Sequence, residues 1–179
     1  MSTKSLIVAG TAVIAVAAGA VAFAIKPWAG SSQLDLNEMI ATVQEKFPDV
    51  THLDTAAVKE LIGKQPGVQI IDVREPDEFN ASHIPGAINV PPETPDDELL
   101  AKVKANAPVI VYCSIGWRSS ELAERLKAAG RTNVSNYAGS IFAWANAEQP
   151  LQSTGGIVKT VHPYDSHWGR YLKPEHRAF

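Results

Sequence analysis

The chain has a single cysteine, Cys113, among 179 residues. A lone thiol rules out an intramolecular disulfide and leaves no cysteine pair for a thiolate metal centre. Histidine is also scarce. His162, His167 and His176 match no standard ligand spacing, so neither a metal nor another cofactor is expected. There is no internal repeat and no low-complexity tract, and the apolar fraction of 45% suffices for a packed core. Basic residues are in deficit over most of the chain. Acidic side chains outnumber them from Pro27 to Leu151, which argues against a nucleic-acid partner. From Gln152 onward the balance reverses, with Lys159, Arg170, Lys173 and Arg177 against Asp165 and Glu175, a pattern read as a solvated surface.

Charge is absent altogether from residues 5–25, between Lys4 and Lys26. As a helix this Ala- and Val-rich run would span roughly 30 Å, the thickness of a bilayer's hydrocarbon core. Ala22-Phe-Ala24 offers a small-x-small cleavage site, so a signal peptide competes with an uncleaved anchor. The length of the run favours the anchor, with the membrane as a partner. The slight excess of positive charge at Lys4 and the amino terminus puts the rest of the chain outside the cytoplasm, on the periplasmic side.

Beyond Lys26 a Pro-Gly-Ser stretch reads as a linker. Leu36, Met39, Ile40, Val43 and Phe47 then recur at helical spacing and predict an amphipathic helix ended by Pro48. From Val50, short apolar runs alternate with helical patterns. Strands are expected over 68–73, 87–90, 109–112 and 134–137. Helices are expected from Asp54 to Ile62, from Glu75, over 96–105, 118–129 and 140–147. Such alternation predicts an α/β fold with a mostly parallel central sheet flanked by helices. The expected divisions are an anchor or signal at 1–26, a linker and helix at 27–49, a domain at 50–151 and a C-terminal extension at 152–179. The extension's aromatics, among them Tyr164, Trp168 and Tyr171, are expected to fold it back onto the domain.

Cys113 ends the run Val109-Ile-Val-Tyr and opens a short loop before the helix at Arg118. A thiol at that junction lies among unpaired N–H groups at the positive end of a helix dipole. The setting favours the nucleophilic thiolate, and with Arg118 it forms a cradle for an anion. The alternative is a buried, inert cysteine.

Four segments, in this order, resemble the rhodanese family of sulfurtransferases. They are Ile70-Ile-Asp-Val-Arg-Glu-Pro-Asp-Glu-Phe79, Ser82-His-Ile-Pro-Gly-Ala-Ile-Asn-Val-Pro91, the loop Cys113 to Ser119, and Asn136-Tyr-Ala-Gly-Ser-Ile-Phe-Ala-Trp144. The resemblance implies that Cys113 attacks the outer sulfur of a small anionic donor, such as thiosulfate, or of a persulfide. The resulting Cys113 persulfide passes sulfur to a thiol or cyanide-like acceptor, which can be a protein. Arg118 would hold the donor's oxygens through its planar fork. Gly116 permits the turn. Ser114, Ile115 and Trp117 supply N–H groups, and Ser119 donates a hydroxyl or caps the helix. Asp72 and Arg74 would shape the pocket wall, or form an ion pair that only stabilises. Ile115 and Trp117 are apolar where many family members are polar or basic. That suggests a larger or less charged substrate than thiosulfate, or a protein partner; alternatively, Trp117 packs on the C-terminal extension.

Two rival functions stand beside this one. Phosphatases and arsenate reductases share the strand–Cys–loop–Arg arrangement, but with five residues between Cys and Arg where this chain has four. They also need an acid that is not evident here. The other rival is a membrane-tethered sulfur carrier, persulfide sensor or partner-binding module with little turnover.

Overall fold

The computed structural model describes residues 35–178, and these belong to one compact unit. The uncharged run 5–25 lies outside the described residues. Among the described residues, no helix is long and apolar enough to cross a membrane.

Helix α1 (Leu36–Lys46) is capped by Asp35, whose carboxylate accepts from the N–H of Asn37. Strand β1 (Thr51–Leu53) follows, then α2 (Thr55–Lys64), capped in the same way by Asp54. The chain continues through β2 (Gln69–Asp72), α3 (Pro76–Ala81), β3 (Ile88–Asn89), α4 (Asp96–Lys102), β4 (Val109–Tyr112) and α5 (Trp117–Ala128). Strand β5 (Val134–Tyr137) and helix α6 (Ser140–Asn146) complete the alternating part. The five strands form a wholly parallel sheet in the order β1-β5-β4-β2-β3.

All four residues of β2 and of β4 are buried, which fits the apolar Ile70-Ile71 at the centre of β2 and the unbroken Val109-Ile-Val-Tyr of β4. Successive side chains point to opposite faces. Ile70 and Ile110 therefore join Val58 of α2 and Ile141 and Phe142 of α6 on one side. Ile71 and Val111 join Val43 of α1, Leu99 of α4 and Leu122 and Leu126 of α5 on the other.

Two segments differ from the expectation. Strand β1 was not expected, because Thr51-His52 is polar and the strand lies at the sheet's edge. The division expected at residue 151 falls where an antiparallel hairpin begins, β6 (Leu151–Ser153) with β7 (Gly156–Val158). Backbone bonds between His83 and Gln152 tie that hairpin to the loop after α3. Further on, Val161 and Leu172 are fully buried in the same cluster as Ile110 and Phe142. Helix boundaries shift by small amounts, α5 starting at Trp117 and α4 ending at Lys102.

Candidate active site

Cys113 follows directly on β4, at the carboxyl end of the sheet, where open α/β folds bind ligands. Its sulfur accepts a hydrogen bond from the N–H of Gly116 at 3.2 Å. That bond closes a tight loop in which Gly116 has φ +113°, a conformation side chains rarely adopt. A Cβ at Gly116 would also meet Asn136 Nδ2 at 3.3 Å.

The loop is held from below by α6. Ser140 Oγ accepts from the N–H of Cys113 at 3.1 Å and donates to the Tyr137 carbonyl at 2.9 Å. The N–H groups of Gly139, Ile141 and Phe142 donate to the carbonyls of Ile115, Cys113 and Ser114, each at 3.2 Å. Asn136 Nδ2 donates to the Gly116 carbonyl at 3.2 Å, and Ser119 Oγ donates to Asn136 Oδ1 at 2.7 Å. Ser119 is thus a fully buried brace beneath the loop, with its hydroxyl committed to Asn136.

Arg118 reaches back across the loop to Glu78 of α3. Its two terminal nitrogens lie 2.8 and 3.0 Å from the carboxylate oxygens, and it also donates to Ser114 Oγ at 3.0 Å. Burial works against the guanidinium's charge. The Glu78 hydrogen bond and the negative charges of Cys113 and Glu78 more than compensate, and the Arg118 pKa is raised above its ordinary value. Burial likewise opposes the Glu78 carboxylate, but the bond and charge of Arg118, with the charge of Arg74, hold its pKa below the usual 4.5. Sequence reasoning missed Glu78, although it lies inside the first of the four segments. In α3 it is also the capping-box partner of Glu75.

A cavity of about 630 Å³ opens above the sulfur. Ser114, Ile115, Trp117 and Arg118 line it from the loop side. Met39 of α1 and Tyr164 and Trp168 of the C-terminal segment also line it. Arg118 stands 5.4 Å from the centre of the Tyr164 ring. Trp117 packs edge-on against Phe47, ring centres 5.4 Å apart, and not on the C-terminal segment. Its indole N–H donates to Glu121 at 3.0 Å.

Asp72 and Arg74 do not line this cavity. Both are fully buried, joined through Nε and Nη2 at 2.9 and 2.7 Å. Arg74 also donates to the Ser82 carbonyl at 2.6 Å. Burial disfavours this guanidinium, yet the charge and hydrogen bond of Asp72 raise its pKa. The pair pins the chain around α3 and so fixes Glu78 from a distance. Of the two roles expected for it, pocket wall or structural ion pair, its burial and bonding are those of the ion pair and not of the wall.

The histidines of the C-terminal segment do not converge. Instead His176, Glu148 and Glu175 bring possible ligand atoms within 4.8 Å of one another. Glu148 already pairs with His176 at 3.0 Å and with Lys173 at 3.3 Å.

The α/β sheet, the loop joining Cys113 to Arg118, and the brace from β5 and α6 define a family. The profile of the rhodanese-like domain matches residues 54–147, over half the chain, and the chain belongs to the rhodanese-like family. It is 32% identical over 102 residues to the thiosulfate:glutathione sulfurtransferase of Saccharomyces cerevisiae, covering 50% of this chain and 73% of the yeast protein. It is 37% identical over 70 residues to the thiosulfate sulfurtransferase PspE of Escherichia coli, covering 38% of this chain and 67% of that protein. Among solved structures, the rhodanese-like domain of an Anabaena protein superposes with a TM-score of 0.53 at 26% identity. That superposition covers 57% of this chain and 78% of the Anabaena domain.

Proposed function

We propose that the protein is a rhodanese-type sulfurtransferase working through a Cys113 persulfide. The observation that carries this reading is the Cys113 sulfur at the floor of the cavity, hydrogen-bonded by Gly116 N–H at 3.2 Å and faced by Arg118. In the first half-reaction the thiolate attacks the outer sulfur of thiosulfate or of a persulfide. A new sulfur–sulfur bond forms to Cys113, the donor's own bond breaks, and sulfite or a thiolate leaves. In the second, a thiophilic acceptor takes that outer sulfur and Cys113 departs as the thiolate. The Gly116 N–H and the first-turn N–H groups of α5 stabilise the negative sulfur in both resting states. Glu78 holds Arg118 in one orientation, and Ser140 holds the backbone of Cys113.

The sulfurtransferase names of the yeast and Escherichia coli relatives support this reading. The four-residue spacing between Cys113 and Arg118 separates it from the wider phosphatase loop. The test is sulfur transfer from thiosulfate or an organic persulfide to cyanide, read as thiocyanate. Turnover that disappears in Cys113→Ser is expected; equal turnover in that variant contradicts the reading.

The uncharged run 5–25 supports a membrane-anchored form with the catalytic domain outside the cytoplasm. Full-length protein that stays in the membrane pellet after alkaline carbonate extraction agrees with this. Release by carbonate contradicts it.

A further inference from the structure

The charges around the cavity do not suit the small anions that the Cys113–Arg118 loop suggests by itself. Among the described residues, three carboxylates line the cavity, Glu75, Glu93 and Glu121, against one guanidinium, Arg118. That guanidinium is already matched at two points by Glu78, whose side chain is 3% exposed. The pair is electrically closed, and the cavity is left with a negative surplus. The carboxylates arrive from three separate places, the turn after β2, the segment after β3, and the first turns of α5. Their convergence is therefore not the solvated stripe of one helix.

Between them stand aromatic walls. Trp117 is held in place by its bond to Glu121, and Tyr164 and Trp168 come from the C-terminal segment. Aromatic faces beside carboxylates attract organic cations, quaternary ammonium groups most of all, and repel anions. The Tyr164 ring already meets a cation, Arg118, at 5.4 Å. Cys113 is 1% exposed, so a sulfur acceptor must enter the cavity to reach it.

Resting on the sulfurtransferase reading above, we infer that the acceptor is a small thiol carrying an ammonium group. Its thiolate attacks the outer sulfur of the Cys113 persulfide. The bond between that sulfur and Cys113 Sγ breaks, Cys113 leaves as the thiolate, and the cationic thiol departs as its own persulfide. The ammonium head lies among Glu93, Glu121 and the aromatic walls while the short spacer reaches down to the sulfur.

The test uses the full chain, loaded with excess polysulfide and desalted. Loss of the extra sulfur is followed by intact mass in thiocholine, neutral 2-mercaptoethanol or 3-mercaptopropionate. For each protein the neutral thiol is the internal reference, so intrinsic thiol reactivity cancels when wild type is compared with Glu93→Gln and Glu121→Gln. Wild type is expected to favour thiocholine over mercaptopropionate, and each substitution to shrink that preference by about fivefold. Added salt weakens it further. Trp168→Leu is expected to lower the thiocholine rate relative to 2-mercaptoethanol. A preference that is the same in wild type and both glutamine variants, or one for the anionic thiol, overturns the proposal while sulfur transfer itself stands. Failure of Cys113 to load sulfur overturns the sulfurtransferase reading, and the proposal with it.

Discussion

Arg118 and Glu78, forty positions apart in sequence, meet as a two-point ion pair beside the Cys113 thiol. The pair joins the start of α5 to α3, so the residue facing Cys113 is oriented by an element laid down well before the loop. The pair is also a charge balance. It supplies a fixed guanidinium near the sulfur without making the cavity positive.

Breaking that balance has a predictable effect on stability. Glu78→Gln leaves a largely buried guanidinium short of its countercharge and is expected to cost about 2–4 kcal/mol at neutral pH. The folded-state pKa of Glu78 is depressed, so its contribution is present above the usual carboxylate range and is lost as pH falls through the folded value. Urea midpoints measured from pH 7 to pH 3 are expected to begin converging for wild type and variant as pH falls below about 4.5. A gap that stays constant over that range contradicts the account.

Arg118→Lys keeps the charge but loses the planar fork that meets Glu78 and Ser114 together. Sulfur turnover is expected to fall by about tenfold or more, with a smaller change in melting temperature than Glu78→Gln produces. Steady-state kinetics and a thermal melt on the same preparation check both parts.

Ser140 has φ +50°, an uncommon conformation for a residue with a side chain. It is kept there by its hydroxyl, which serves the buried N–H of Cys113 and the Tyr137 carbonyl. Ser140→Ala leaves that N–H without an acceptor. A destabilisation of about 1–3 kcal/mol is expected by urea unfolding, along with slower persulfide formation.

The C-terminal segment is part of the core. Leu172 is fully buried beside residues of the sheet and α6. Leu172→Ala is expected to cost about 2–4 kcal/mol. Tyr164→Leu, at a half-exposed position on the cavity rim, is expected to change stability little and to act on substrate use instead. A negligible effect of Leu172→Ala on the unfolding midpoint contradicts this packing.

Strand β4 was legible at its observed limits because β-branched and aromatic residues fill it, and β5 because Val134 and Tyr137 bound a short run after the turn at Gly130. Edge strand β1 was not, since three residues with polar Thr51 and His52 carry no periodicity. The β6–β7 hairpin had its signal in Gly155-Gly156 but was absorbed into an aromatic-rich tail. In the site, Cys113, Arg118, Ser114, Ile115 and Trp117 were legible because they share one short loop. Glu78 and Ser140 were not assigned their roles, because nothing local says which carboxylate or hydroxyl will cross from another helix. For Asp72 and Arg74 the residue types could mean a pocket wall or a buried pair. Only their depth, with no exposure at all, decides for the pair. The aromatic wall from Tyr164 and Trp168 depends on how the last segment folds over the sheet, which composition alone leaves open.

The central claim is that Cys113 carries sulfur. Its most direct test is intact-protein mass spectrometry after incubation with thiosulfate or an organic persulfide, with Cys113→Ser as control. The account predicts one added sulfur atom on Cys113, removed by cyanide or a thiol and absent from the control. No adduct from any donor, on folded and reduced protein, would contradict the account and favour a partner-binding module.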